Sequence, residues 1–338
     1  MGATTVHEQR HAALLCERFH LDRVRMTNSG TEANLYALAA ARHFTGKRKV
    51  VVFSGGYHGG VLYFPNGAPA ANVVDPGDFV VVPRYNDAAV AVELIRRVAA
   101  EGSLAAVLVE AVQGAGGVIP GTRGFLNEIR EVAKMAGVLF ILDEVMTSRL
   151  GPNGLGVEYG LQPDLVTLGK YLGGGFAFGA FGGREDVMAV YDPRMPGGLS
   201  HSGTFNNNTV AMLAGFTALS EVYTPEVNVA FNRRGDELRE KLLNATKGTK
   251  LTFTGRGSLV GVHCSEDGTT DIKCGEDIKG KERPDLKDLF WLEMLEEGFW
   301  IARRGFMALI LKTPVEELDR LVTGVEKFLA RYSDLFKV

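Results

Sequence analysis

An α/β fold is what this chain predicts: a large domain with a mostly parallel central sheet, then a smaller C-terminal α+β domain. Three observations lead there. Short apolar runs of strand length alternate with helix-forming stretches, the pattern of parallel strands covered on both faces. Many of the 42 glycines cluster just after those runs, at Gly55-Gly56, 114–117, 173–175 and Gly182-Gly183. Loops at the C-terminal edge of a parallel sheet are where α/β folds build their sites. From about Thr209 the alternation ends and a long helical stretch leads into a differently ordered C-terminal part. With 338 residues, two domains are expected, 1–212 and 213–338.

His7 to Phe19 reads as an amphipathic helix. The segment 25–30 leads into a strong helix former from Thr31 to Arg42. Lys49–Phe53 and Phe79–Val82 are short buried strands, 86–101 is helical, and Ala105–Glu110 is again a strand. A helix over Phe125–Ala136 feeds the strand Val138–Asp143. Leu165–Leu168 and Ala180-Phe181 complete the strand pattern. Beyond it, 228–244 is helical, 257–264 and 299–311 look like strands, and Pro314–Tyr332 is a closing helix. The polar, glycine-containing stretch 266–284 reads as a mobile surface segment.

Composition excludes several classes. Apolar residues make up 46% and charged residues 23%, as in ordinary soluble enzymes. The net charge of -3 provides no basic field for nucleic acid. No apolar run is long enough to span a bilayer, and the first residues show no export signal, so a cytoplasmic protein is expected. Cys16, Cys264 and Cys274 lack metal-ligand spacing, and no metal is expected.

The chemistry concentrates at strand ends. Lys170 ends the apolar run Asp164-Leu-Val-Thr-Leu-Gly-Lys170, and glycines 173–175 clear space beside it. Asp143 ends another buried strand. A strand ending in Asp and a later one ending in Lys suit pyridoxal phosphate: the amine forms a Schiff base, and the carboxylate keeps the pyridine nitrogen protonated. Asn28-Ser29-Gly30-Thr31, at a helix N-terminus, offers N–H groups and hydroxyls for a phosphate, or is a plain N-cap. Tyr57 could stack on a pyridine ring or sit in the core, and His58 reads better as a loop histidine satisfied by backbone. Glu110 and Gln113 either touch the cofactor or brace their loop. Glu144 faces away from Asp143 across the strand, with Arg149 as its expected partner. The stretch 201–208 is either a second phosphate contact or an interdomain linker. Arg304, among apolar residues, needs a carboxylate, from substrate or from an internal salt bridge.

In this order, Asn28-Ser-Gly-Thr-Glu-Ala-Asn34, Tyr57-His-Gly59, Glu110-Ala-Val-Gln-Gly114, Asp143-Glu-Val-Met-Thr147, Thr167-Leu-Gly-Lys170 and Ser202-Gly-Thr-Phe205 resemble the class III aminotransferases of the fold-type I pyridoxal phosphate enzymes. Within the glutamate-1-semialdehyde aminomutase-like branch, 53–60, 143–149 and 201–208 look like the aminotransferases of β-amino acids such as β-phenylalanine. The resemblance implies Lys170 and Asp143 as catalytic residues and Ser29, Gly30 and Thr31 on the phosphate. It implies Tyr57 and Val145 on the two faces of the ring, and His58, Glu110, Gln113 and Met146 in the cofactor set. Thr204 is implied to reach the neighbouring subunit's cofactor in a homodimer, and Arg304 to take the substrate carboxylate. The implied reaction moves an amine from a β-amino acid to a 2-oxo acid in ping-pong fashion. The alternatives are a 2,1-aminomutase, or a shortened homologue that binds the cofactor with weak or no activity. Family members carry a longer segment ahead of the counterpart of His7, which forms part of the small domain and of the substrate pocket; this chain is expected to lack it.

Overall fold

The computed structural model describes residues 4–338. In chain order the strands are β1 (Arg23–Thr27), β2 (Lys49–Phe53), β3 (Phe79–Val82), β4 (Leu104–Glu110), β5 (Val112–Gln113), β6 (Ile119–Pro120), β7 (Leu139–Asp143), β8 (Leu165–Gly169), β9 (Gly179–Gly183), β10 (Leu251–Arg256), β11 (Leu259–Cys264) and β12 (Phe306–Ala308). The helices are α1 (Val6–Phe19), α2 (Gly30–Thr45), α3 (Ala88–Ala100), α4 (Arg123–Met135), α5 (Leu155–Glu158), α6 (Glu185–Met188), α7 (Thr209–Thr217), α8 (Pro225–Ala245), α9 (Pro284–Glu296), α10 (Val315–Arg331) and α11 (Ser333–Phe336). Thr5, Ser29, Asp87, Thr122 and Asn208 each accept a backbone N–H three residues on. Those side-chain caps start α1, α2, α3, α4 and α7. None of the helices among the described residues is long and apolar enough to cross a membrane.

Two compact units result. One is the chain up to Ala111 together with Gly121–Asn228; the other is Val112–Pro120 with Val229–Val338. The division falls at 228/229, not at the expected 212/213. The physical reason is in the segment between: Arg18 donates to the carbonyls of Leu219 and Tyr223, and the Tyr223 hydroxyl and Asn228 amide both donate to the Arg149 carbonyl. Those bonds hold residues 219–228 to the first unit.

The first unit is built on a seven-stranded sheet in the order β1-β9-β8-β7-β4-β2-β3. Only β9 among these strands runs against its neighbours; the other pairings are parallel. The sheet is thus mostly parallel, as expected. Alternate side chains go to opposite faces. Val50, Val52, Ala106, Leu108, Leu139, Ile141 and Leu165 bury against Ala33, Ala37, Leu38, Ala40 and Ala41 of α2. Val166, Leu168 and Ala180 face the other way, against Leu15 and Phe19 of α1 and Ala211 and Met212 of α7. By this alternation Asp143 and Thr167 share the α2 face with Ile141 and Leu165.

In the second unit β10, β11 and β12 form an antiparallel sheet. Phe253, Val260 and Val262 meet Phe290, Phe328 and Phe336 in one core. The strand β10 has no counterpart in the sequence reading, although Leu251 and Phe253 alternate with Thr252 and Thr254. Of the expected strand 299–311 only Phe306–Ala308 pairs, because Gly305 takes φ 86° and turns the chain just before it. The segment 266–284 is packed where a mobile surface stretch was expected: Ile272, Cys274 and Ile278 are buried, and the Asp277 carboxylate accepts the N–H groups of Lys273 and Cys274.

The register of β9 sets the layout of one sheet edge. Gly179 pairs with Thr27 of β1 on one side and Gly169 of β8 on the other. The chain can therefore bring residues 28–31 and Lys170 to the same edge. A Cβ at Gly179 would lie 2.1 Å from the Ser29 carbonyl oxygen and 2.5 Å from Thr27 Oγ1. Gly179→Ala is expected to lower stability by at least ~1–3 kcal/mol, the range for overpacking, and to displace the 28–31 turn. Denaturant unfolding checks it; a variant as stable as the parent would contradict the close approach.

Candidate functional site

Three strand ends meet at one level of the sheet. Glu110 pairs with Asp143, and Asp143 with Thr167. Two residues past that level β8 ends, and Lys170 opens a short 3-10 turn over Lys170–Gly173. Lys170 has φ 55°, a left-handed conformation that costs a non-glycine residue of order 1 kcal/mol and that clusters at functional sites. Its side chain is exposed at the tip of a buried strand.

Asp143 is buried, at 4% exposure. Its Oδ2 accepts the Asn34 amide at 2.8 Å and lies 2.8 Å from His58 Nδ1, and its Oδ1 accepts the Val145 N–H at 2.9 Å. Burial alone would raise its pKa. The hydrogen bond and charge of His58, with the Val145 and Asn34 donors, outweigh that and hold the carboxyl below its ordinary value. The arrangement keeps an anion inside the protein, with acceptor capacity left on Oδ1. His58 is therefore not a loop histidine satisfied by backbone; its ring, 2% exposed, is a carboxylate partner.

At the other strand ends, Glu110 is buried and accepts the Tyr57 N–H at 2.9 Å, which braces the loop after β2. The Tyr57 ring is partly exposed and sits edge-on to Tyr63 with centroids 5.5 Å apart. Ser29 caps α2, so Gly30 and Thr31 occupy its first turn, where free N–H groups and the dipole favour an anion. The Asn28 N–H and amide both donate to Glu32, completing the cap. Gly30 approaches Val145 so closely that a Cβ would lie 2.6 Å from Val145 Cγ1. Val145 and Met146 are just beyond Asp143 in the chain.

The stretch 201–208 lies inside the first unit, which rules out an interdomain linker. The Asn28 amide donates to Asn206 at 2.7 Å, His201 packs on Tyr36, and Thr204 is exposed in the turn between. In the second unit, Gln113 is buried on β5. Arg303 makes a two-point pair with Asp288. Arg304 has its guanidinium over the Phe306 ring and no carboxylate partner among the described residues, so the internal salt bridge belongs to its neighbour.

One residue escaped the sequence reading, and one was given the wrong partner. Asn34 enters there only as part of a motif, yet its amide also donates to the His58 carbonyl and accepts the Thr167 hydroxyl at 2.8 Å. The signal available was an amide on the alanine-rich face of α2, since a buried polar group is the informative one. Glu144 does not use Arg149: its oxygens accept the N–H groups of Leu155 and Gly156 and the Thr147 hydroxyl.

An exposed amine at a strand tip, an anion at the next strand, and a helix N-terminus at the same sheet edge form a donor set that fits an aldehyde-bearing pyridine phosphate. The family model for Aminotransferase class-III matches residues 2–327. The chain belongs to the class III aminotransferases. It is 49% identical over 331 residues to the β-phenylalanine transaminase of Variovorax paradoxus, covering 97% of this chain and 74% of that one. It is 36% identical over 346 residues to glutamate-1-semialdehyde 2,1-aminomutase 2 of Bacillus pumilus, covering 96% and 78%. Among solved structures, the β-phenylalanine aminotransferase from Variovorax paradoxus aligns with a TM-score of 0.94 and 47% identity over 100% of this chain and 77% of that one. This aminotransferase is a pyridoxal-phosphate-dependent transaminase of fold type I.

Burial also gives Glu144 a pH signature. Desolvation raises its pKa from 4.5 to about 7, against the backbone hydrogen bonds from Gly156 and Leu155. Between these values the folded carboxyl holds a proton that the unfolded one has lost, so stability falls as pH rises from 4.5 to about 7. Glu144→Gln is expected to remove that fall, worth about 3 kcal/mol for a shift of this size. Unfolding of both proteins across this range checks it; a difference that stays flat with pH would contradict it.

Proposed function

We propose that this aminotransferase moves the amine of a β-amino acid, aromatic as in β-phenylalanine, to a 2-oxo acid by a ping-pong mechanism. The carrying observation is the placement of Lys170 and Asp143 at neighbouring strand tips, in a chain 49% identical to a β-phenylalanine transaminase. When bound, pyridoxal phosphate supplies an aldehyde that condenses with amines and a ring that accepts electrons. Ser29, Gly30 and Thr31 hold the phosphate through N–H groups and hydroxyls. Asp143 keeps the ring nitrogen protonated. Tyr57 and Val145 cover the ring faces, with Met146 beside them, while His58, Glu110 and Gln113 steady the surrounding loops.

Lys170 Nζ holds the cofactor in the resting enzyme. Displaced by the donor amine, Lys170 would take the proton from the amine-bearing carbon and deliver it to the cofactor carbon that receives the amine, and would carry a proton the opposite way in the second half-reaction. Arg304, with no carboxylate partner among the described residues, takes the substrate carboxylate by a two-point contact. A homodimer in which Thr204 serves the neighbouring subunit's cofactor matches the family pattern. A reducing cytoplasm suits Cys16, Cys264 and Cys274, none of which forms a disulfide.

A second reading, a 2,1-aminomutase, draws on the 36% identity to the Bacillus pumilus enzyme. Running the reaction with and without added 2-oxo acid separates them: the proposal expects product only when an acceptor is present.

Two variants test the residue roles. Lys170→Ala is expected to lower turnover of 3-amino-3-phenylpropanoate by roughly 100-fold or more, the range for positioned proton transfer; native turnover would overturn the role. Arg304→Ala is expected to raise KM for 3-amino-3-phenylpropanoate and to leave KM for 1-phenylethylamine, which has no carboxylate, little changed. Equal effects on both donors would remove Arg304 from carboxylate binding.

A further inference from the structure

We propose that Asn34 is the positioning residue that aims the Asp143 carboxylate, and that the Thr167 hydroxyl anchors Asn34 in the place this requires. The inference rests on the proposed function, in which Asp143 faces the cofactor's ring nitrogen. Asn34 is 1% exposed. Both of its amide hydrogens are used, on the His58 carbonyl at 3.0 Å and on Asp143 Oδ2 at 2.8 Å. Its oxygen accepts the Thr167 hydroxyl at 2.8 Å.

That pattern permits one amide orientation. Turned over, the amide oxygen would face a carbonyl and an ionised carboxylate, both acceptors, and the two donors would face one hydroxyl. Thr167 therefore does more than fill space. The two acceptors set the orientation; the Thr167 hydroxyl anchors the amide oxygen on the other side, and it sits beside Asp143 in the β7–β8 register, three residues before Lys170.

The consequence lies in the count of acceptor positions on Asp143. A carboxylate has roughly four. Asn34 and His58 take both of those on Oδ2, and Val145 takes one on Oδ1. The remaining position belongs to Oδ1, so a ring N–H has one oxygen to meet. Without the Asn34 donor, Oδ2 regains an open position and the carboxylate loses a restraint anchored in α2. Four separate elements converge on this one group: α2 through Asn34, the loop after β2 through His58, β7 through Asp143, and β8 through Thr167. The convergence distinguishes Asn34 from an ordinary buried amide satisfied by its own helix.

The test compares the parent with Asn34→Ala, Thr167→Val and Thr167→Ser. For each, the thermal midpoint of the apo-protein, the dissociation constant for pyridoxal phosphate and the pH profile of the bound cofactor's absorption band are measured. Asn34→Ala is expected to bind the cofactor about 10-fold or more weakly, the scale of one lost hydrogen bond to a charged group, and to shift the band's pH profile. Thr167→Val, which keeps the shape and removes the donor, is expected to move both readouts the same way by less. Thr167→Ser, which keeps the donor, should behave as the parent. Native affinity and an unshifted profile in Asn34→Ala, with only the apo midpoint lowered, would reduce Asn34 to a structural residue and overturn the proposal. Should Asn34→Ala fail to fold, an unchanged Thr167→Val overturns it equally. A parent protein that binds no pyridoxal phosphate defeats the proposed function itself, and this inference with it.

Discussion

One buried negative charge organises the first unit. Removing an ionised carboxylate from water costs several kcal/mol unless hydrogen bonds replace the lost solvation. At Asp143 the replacement comes from a helix side chain, a loop imidazole and a backbone N–H. Each donor constrains a different piece of chain. Asn34 fixes the rotation of α2 about its axis, His58 fixes the loop that carries Tyr57, and the Val145 N–H turns the chain sharply after β7. The alanine face of α2 serves the same end: Ala33, Ala37, Ala40 and Ala41 bring the helix close to the sheet, where a short amide can reach a strand tip.

The strained backbone at Lys170 belongs to the same layout. The turn after β8 places the lysine beyond the level at which Glu110, Asp143 and Thr167 align, exposed at the edge of a sheet whose interior is apolar. Gly179, between Thr27 and Gly169, makes that layout possible, because β9 enters antiparallel and needs room under the Ser29 carbonyl. Anion handling is thus divided. Asp143 is held as a charge by donors, whereas Glu144, one residue on and facing the other way, is driven by burial toward neutrality and clamps the start of α5 through backbone N–H groups.

Range along the chain decides which features the sequence discloses and which it hides. Lys170, Asp143 and the Ser29 cap are local patterns, an apolar run with a polar residue at its end or a cap before a helix, and they can be read without knowing the neighbours. The parallel strands of the first unit are apolar throughout and are readable for the same reason. Asn34 was hidden because its meaning depends on which face of α2 meets β7, and no periodicity reports that. The partners of Glu144 were missed because backbone N–H groups more than ten positions along carry no sequence signature. The strand β10 went unread because its buried threonines blur the apolar alternation, and the division at 228/229 because tyrosine, asparagine and arginine contacts, not composition, tie 219–228 to the first unit. Whether Arg304 had an internal salt bridge was likewise open until the structure paired Asp288 with Arg303 and left Arg304 over a ring.

In its buried setting Asp143 stays ionised, and its proposed role is to keep the ring nitrogen of the bound cofactor protonated. Nitrogen NMR of the protein loaded with ring-labelled pyridoxal phosphate measures this directly. A protonated ring nitrogen at neutral pH, reverting to the unprotonated shift in Asp143→Asn, is the expected result. An unprotonated nitrogen in the parent chain, or a protonated one that Asp143→Asn leaves unchanged, would contradict it.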